Sequence, residues 1–185
     1  PLIALRYAAF NLVCGVLLEN YSNTDYNLWP IFVPLWMLFL SGFSTSSGST
    51  GGGIKMIRAR ILYQQVYREI ITIMHPNAVM PAKLGRSVLA SRVILAVLVF
   101  LFVYTASIVL MMLLLTLSGL DVITAFSAAV ACINNLGPGL GEIGPATTYA
   151  SLTDFQTWIC SFAMLLGRLE FFTVLAIFTP AFWRK

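Results

Sequence analysis

Residues 93–120 contain no charged side chain, and their first 25 residues, VILAVLVFLFVYTASIVLMMLLLTL, are almost wholly apolar. A helix needs about 20 such residues to cross a hydrocarbon core. Only helices and closed barrels satisfy their backbone groups there, so this run reads as a spanning helix. Composition extends the constraint to the whole chain, which is 59% hydrophobic and 10% charged. Soluble domains carry about 25% charged residues. Eleven Lys/Arg and seven Asp/Glu cannot cover the surface of a soluble protein of 185 residues. A soluble enzyme, a disordered tail and a nucleic-acid module are therefore excluded, leaving an all-α integral membrane protein whose first partner is the lipid bilayer. The chain opens at Pro1 without a basic-then-apolar leader and is expected to begin inside a longer polypeptide.

The remaining apolar runs differ in length. Residues 155–183 carry only Arg168 and Glu170, and read as a second spanning helix with an ion pair at its middle. Residues 26–54 are uncharged, but only their first half resembles a lipid-facing helix. Residues 7–18 and 122–133 are too short to cross, and runs of about 10–14 residues are more often re-entrant. Both short runs open on Ala-Phe (9–10 and 125–126) and hold a Cys near the end. Each precedes a polar loop and a longer apolar run, a weak internal repeat with a period near 116 residues. The three cysteines, Cys14, Cys132 and Cys160, match no zinc or disulfide spacing and read as small buried hydrophobes.

Charge position predicts orientation. Lys55, Arg58, Arg60, Arg68, Lys83, Arg86 and Arg92 lie in the 55–92 loop with the single acid Glu69, and Arg184 and Lys185 end the chain. The acids Glu19, Asp25, Asp121, Glu142 and Asp154 occupy the other two loops. By the positive-inside rule the 55–92 loop and the C-terminus are cytoplasmic, and the short helices dip in from the outer face. The text KMIRARILYQQVYREIITIM has helical periodicity through Ile57, Ile61, Val66 and Ile70, and His75-Pro76-Asn77 stops it. It reads as a basic helix at anionic headgroups or as a docking surface for a cytoplasmic partner.

Three segments carry candidate chemistry. Asn134-Asn135-Leu136-Gly137-Pro138-Gly139-Leu140-Gly141 follows the half-length run 122–133. A helix ending inside the membrane points unpaired carbonyls and a negative dipole end inward, which suits a cation. The glycines permit positive φ and so let carbonyls turn to one side; the alternative is an external turn. Residues 41–53, SGFSTSSGSTGGG, are poor helix formers that cannot face lipid. They read as a gate bordering a water-filled cavity, or as a small-residue packing face. Their glycine spacing lacks the Gly-Lys-Ser/Thr ending of a phosphate loop. Arg168, with Glu170, reads as an electrostatic barrier in a cation path or as a structural ion pair, because an intramembrane charge faces the bundle interior.

The stretches GSTGGGIKMIR (48–58), HPNAV (75–79), NNLGPGLG (134–141), GRLEFFT (167–173) and FTPAFWRK (178–185) together resemble the Trk/Ktr/HKT superfamily of potassium transporters, and above all its bacterial Trk-type membrane subunit, the TrkH family. That family has potassium-channel-like helix–re-entrant pore loop–helix repeats, four around one pore. The resemblance implies the pore helix, filter loop and broken second helix of a third repeat in residues 1–54, a cytoplasmic basic helix and linker in 55–92, and a complete fourth repeat in 93–185, about one and a half repeats in all. It further implies that Asn134, Asn135, Leu136 and Gly137 form one quarter of a selectivity filter. Gly48, Ser49, Thr50, Gly51, Gly52, Gly53 and Lys55 correspond to the intramembrane gating loop, and Arg168, beside Glu170, to the pore-facing arginine. K⁺ is then the transported ion, with no cofactor or further metal, in the bacterial inner membrane, as uptake by symport. The implied partners are the remaining repeats, a cytoplasmic nucleotide-binding regulatory ring subunit and a second copy of the chain, with no nucleic acid. One departure stands out: the family's filter glycine in the third repeat falls on Asn20 or Tyr21, with Glu19 beside them. A degenerate, non-conducting protein with a structural or regulatory role is the alternative that this departure motivates.

Overall fold

The computed structural model describes residues 2–19, 21–43, 52–75, 83–84, 87–169, 173 and 183. Among the described residues six α-helices follow in order: α1 Leu2–Leu17, α2 Phe32–Ser41, α3 Met56–Met74, α4 Ser91–Leu117, α5 Val122–Asn134 and α6 Asp154–Arg168. A small antiparallel hairpin, β1 Lys83–Leu84 and β2 Ser87–Val88, interrupts the basic loop. With two residues in each strand, it leaves the all-α class expected from the sequence unchanged. Single helical turns at Tyr26–Leu28, Gly141–Ile143 and Tyr149–Ser151 complete the elements.

Helix α4 is the expected long span. Its 27 residues reach about 40 Å at 1.5 Å per residue, and its most apolar window has a mean hydropathy of 2.9. Among the described residues it is the one helix long and apolar enough to cross a membrane. Leu95, Phe102, Leu110 and Leu113 are exposed on its flank, a surface suited to lipid rather than water. Gly119, at φ +100°, turns the chain, and the Leu120 amide donates to the Leu115 carbonyl. A left-handed residue with this six-to-one bond is the usual way a helix end satisfies its carbonyls.

Helix α5 lies at the centre. Asp121 caps its N-terminus by accepting from the Ile123 amide at 3.2 Å. Ala125, Ala128, Ala129 and Ala131 are fully or almost fully buried, and such small side chains let helices approach closely. α5 packs on both α4 and α6, while α1 packs on α2, α2 on α5, and α3 on α4. Thr153 and Gln156 form a reciprocal capping box at the start of α6. Gln156 then donates to the Ser118 hydroxyl and carbonyl at the end of α4, tying the two helices together at the same end.

Other boundaries follow from the same packing. The helix expected over 155–183 is described from Asp154 to Arg168, where Leu169 leaves the α region; beyond it only 173 and 183 are described. Arg168 is therefore the last residue of the described helix, and Glu170 lies outside the described residues. In α3 only the first half of the apolar stripe packs: Ile61 is buried with Ile94 and Val97, with Ile57 beside them, whereas Val66 and Ile70 are exposed. The Arg58 guanidinium lies 3.9 Å from the Phe100 ring centre, a cation–π contact joining α3 to α4. His75 caps the end of α3; Pro76 and Asn77 lie outside the described residues.

Candidate ion pathway at the end of the short helix

The C-terminus of α5 is where the chemistry-bearing segments meet. Thirteen residues of helix reach about 20 Å, so α5 cannot cross a bilayer by itself. Asn135 closes it in the left-handed region (φ 58°, ψ 38°), and the Leu136 amide donates back to the Ala131 carbonyl at 2.8 Å. Gly137 follows at φ +91°. Left-handed residues thus flank Leu136, whose side chain is buried, while Asn135 and Gly137 are partly exposed.

Asn134 is fully buried and its side chain is committed to protein. Its Oδ1 accepts from the Tyr104 hydroxyl at 2.8 Å, and its Nδ2 donates to Ser41 Oγ at 3.1 Å. Ser41 in turn donates to the Leu38 carbonyl at 2.7 Å. One amide therefore ties α5 to α4 and to the end of α2, where the glycine-rich segment begins. Only its backbone carbonyl remains for an ion.

Two glycines close on that same helix end. A Cβ on Gly52 would lie 2.7 Å from the Asn134 carbonyl oxygen and 2.8 Å from that of Ile133. A Cβ on Gly167 would overlap the Ile133 carbonyl oxygen and stand 3.0 Å from Asn135 Nδ2. Gly53, at φ +83°, sits against Gly42, whose carbonyl accepts the Ile54 amide at 2.8 Å. The two stems of the segment 43–53 are thus bonded together beneath α5. Of the expected gating residues, Gly52, Gly53 and Lys55 (φ 62°) are described, whereas Gly48, Ser49, Thr50 and Gly51 lie outside the described residues. Arg168 follows Gly167 directly, on an exposed face at the end of α6.

Beyond Gly137 the chain returns along α5. Ser127 Oγ accepts the Leu140 amide at 2.9 Å, and the Gly139 amide donates to the Ile143 carbonyl at 2.8 Å. The Tyr149 hydroxyl donates to the Gly137 carbonyl at 2.7 Å and lies 3.9 Å from Cys132 Sγ. Burial raises the Tyr149 phenol above its ordinary pKa, so it stays protonated and able to donate.

The first short helix repeats this construction. After α1, Leu18 stands at φ 59° and the Glu19 amide donates to the Cys14 carbonyl at 3.1 Å. These are the counterparts of Asn135, Leu136 and Ala131, 117 residues on. Buried Asn11 accepts the Asn23 amide much as Ser127, 116 residues on, accepts that of Leu140, and Asn11 donates to Thr24 at 2.8 Å. Asn20 lies outside the described residues. Tyr21 is exposed.

The family follows from comparison with known proteins. A family model described as a cation transport protein, TrkH, matches residues 3–185. The chain belongs to the TrkH family. It is 42% identical over 185 residues to the Trk system potassium uptake protein TrkH of Vibrio parahaemolyticus. Over 184 residues it is 39% identical to the protein of that name in Escherichia coli K12. Each alignment covers 100% of this chain and 38% of the relative, so the chain spans well under half the length of the proteins it matches. The E. coli Trk system potassium uptake protein TrkG is 37% identical over 178 residues. The crystal structure of the Vibrio potassium transporter TrkH superposes with a TM-score of 0.84 over 92% of this chain and 36% of that one.

The sequence singles out residues 134–137 and the glycines at 52 and 53, but not Tyr104, Tyr149, Asn11 or Ser127, which the structure brings to the same helix end or its counterpart. A signal existed for three of them: Asn11, Tyr104 and Ser127 are polar residues inside otherwise apolar runs. Tyr149, in a polar loop, gave none.

Proposed function

We propose that this chain is part of the pore-forming subunit of a bacterial K⁺-uptake system in the cytoplasmic membrane. Dehydrated K⁺ passes between backbone carbonyls of residues 134–137, with residues 41–53 acting as an intramembrane gate below and Arg168 facing the path near Glu170. Residues 1–54 serve as the later part of one helix–pore loop–helix repeat, 55–92 as a cytoplasmic linker with a basic helix, and 93–185 as a complete repeat. The observation that carries the reading is the buried half-length helix α5, whose end is turned by left-handed residues at 135 and 137. Carbonyl dipoles and the negative end of the helix macrodipole favour a cation there without a ring of charged side chains. The named function of the relatives, potassium uptake, supplies the ion. Their name as parts of a Trk system supports further subunits in the membrane assembly; the nucleotide-binding ring subunit, docking on the basic 55–92 face, and the pairing of the membrane subunit are proposed on the family resemblance alone.

Expression of the longest polypeptide its gene encodes should restore growth of a K⁺-uptake-deficient bacterium at limiting K⁺. Failure of a protein that reaches the membrane would overturn the reading. Two repeats of four cannot enclose a pore, so liposomes holding only these 185 residues should not pass K⁺ selectively.

One observation favours the alternative of a non-conducting structural protein. Leu18 occupies a left-handed conformation that costs a side-chain-bearing residue roughly 1–2 kcal/mol, and the family's filter glycine falls on Asn20 or Tyr21. Asn20→Gly would discriminate: sharpened K⁺ uptake means the site still lines a filter, and an unchanged null favours the structural role.

A further inference from the structure

We propose that Tyr149 is a positioning residue that fixes the Gly137–Pro138 peptide and thereby sets how well the pathway tells K⁺ from Na⁺. This rests on the proposed filter role of residues 134–137.

Pro138 has no backbone N–H, so the peptide joining it to Gly137 can be held by hydrogen bonding only through the Gly137 carbonyl. Gly137 has no Cβ and sits at φ +91°, where little steric restraint acts on it. The neighbours on both sides are anchored: Leu136 to Ala131 at 2.8 Å, Gly139 to Ile143 at 2.8 Å, and Leu140 to Ser127 at 2.9 Å. The soft step between these anchors is bridged by the Tyr149 hydroxyl at 2.7 Å.

Tyr149 is itself well placed to act as a fixed donor. Its ring packs against the core cluster that contains Cys132, Ile143 and Cys160, so it is referenced to α5 and α6. The phenol occupies one lone-pair direction of the carbonyl and limits how far the peptide plane can rotate. Selection among alkali cations by carbonyls depends on the number and field strength of the dipoles an ion meets. A carbonyl free to rotate can follow the smaller Na⁺ inward, and discrimination falls.

The test is Tyr149→Phe in the longest polypeptide its gene encodes, reconstituted in liposomes, with K⁺ and Na⁺ flux measured on the same preparation. The variant removes one hydroxyl and keeps the packed ring. A hydrogen bond with a net worth of about 1 kcal/mol corresponds to a roughly fivefold fall in the K⁺/Na⁺ flux ratio. A purely structural role would lower protein abundance and scale both fluxes together, leaving the ratio unchanged, and that outcome would overturn the assignment. Reading a ratio removes dependence on yield, and a melting curve on the same sample reports folding. Wild-type protein without K⁺ preference would overturn the filter reading itself. A selective wild type with an equally selective Tyr149→Phe would overturn only the role of the tyrosine.

Discussion

Gly167→Ala tests the meeting of α5 and α6 at a single atom. Alanine is the better helix former by about 1 kcal/mol, so local propensity alone predicts a stabilised α6. The tertiary contact predicts the reverse. The new Cβ would overlap the Ile133 carbonyl oxygen and stand 2.7 Å from its carbon. Ordinary contact begins near 3.4 Å, so α6 must withdraw by at least about 0.7 Å. The obstructing atoms are backbone in a helix end already fixed by Asn134 and Leu136, so they cannot swing aside as a side chain would. Overpacking of this kind costs about 1–3 kcal/mol, which offsets the propensity gain, and the net expectation is a loss of up to about 2 kcal/mol. The assay is the thermal midpoint of the detergent-purified full-length protein, with K⁺ uptake measured in parallel. Gly119→Ala serves as the comparison, because it lies at φ +100° with no atom within 4 Å of the new Cβ. It carries only backbone strain, away from the pathway. A lowered midpoint in both variants, but impaired K⁺ uptake only in Gly167→Ala, is expected. A Gly167→Ala protein as stable and as active as wild type would refute the close approach.

The side-chain bridge at Asn134 should register as coupling: in a double-mutant cycle of Asn134→Ala and Tyr104→Phe, the stability losses should fall short of additivity by about 1 kcal/mol, and full additivity would deny the bond. Burial, with the charge of Asp25, pushes the Tyr26 phenol up to about 12. Above pH 10 the unfolded tyrosine loses its proton while the folded one keeps it, so stability should decline as pH rises from 10 through 12, and Tyr26→Phe should flatten that decline. Orientation is checked by thiol labelling: a membrane-impermeant reagent on intact cells should reach Glu142→Cys and not Tyr63→Cys, both positions being exposed, and the opposite pattern would invert the proposed topology.

The helices were legible because their signals are local. A long uncharged apolar run gave α4, a short one at 122–133 gave α5, and the His75 stop gave the end of α3. The candidate site was legible where backbone freedom shows in the text, at Gly52, Gly53, Gly137 and Gly167. What could not be read was which partner each freedom serves. Gly167 allows close approach to Ile133, 34 positions away, and no periodicity within α6 reports that. The bond from Asn134 to Ser41 spans 93 positions, and depends on how α2 meets α5. Tyr149 looked like an ordinary loop aromatic until the returning chain brought its hydroxyl to Gly137. The repeat was visible as a weak echo near 116 residues. The bonds that close the two short helices, Glu19 to Cys14 and Leu136 to Ala131, match at a separation of 117 residues.

The central claim is that the backbone at the end of α5 selects the ion, and the most direct measurement is the K⁺/Na⁺ flux ratio of the full-length protein in liposomes, with and without Gly137→Ala. That substitution places a side chain at φ +91°, where only glycine is unstrained. The account predicts a clear K⁺ preference in the wild type and its loss in Gly137→Ala. Equal passage of both ions by the wild type, or an undiminished preference in the variant, would contradict it.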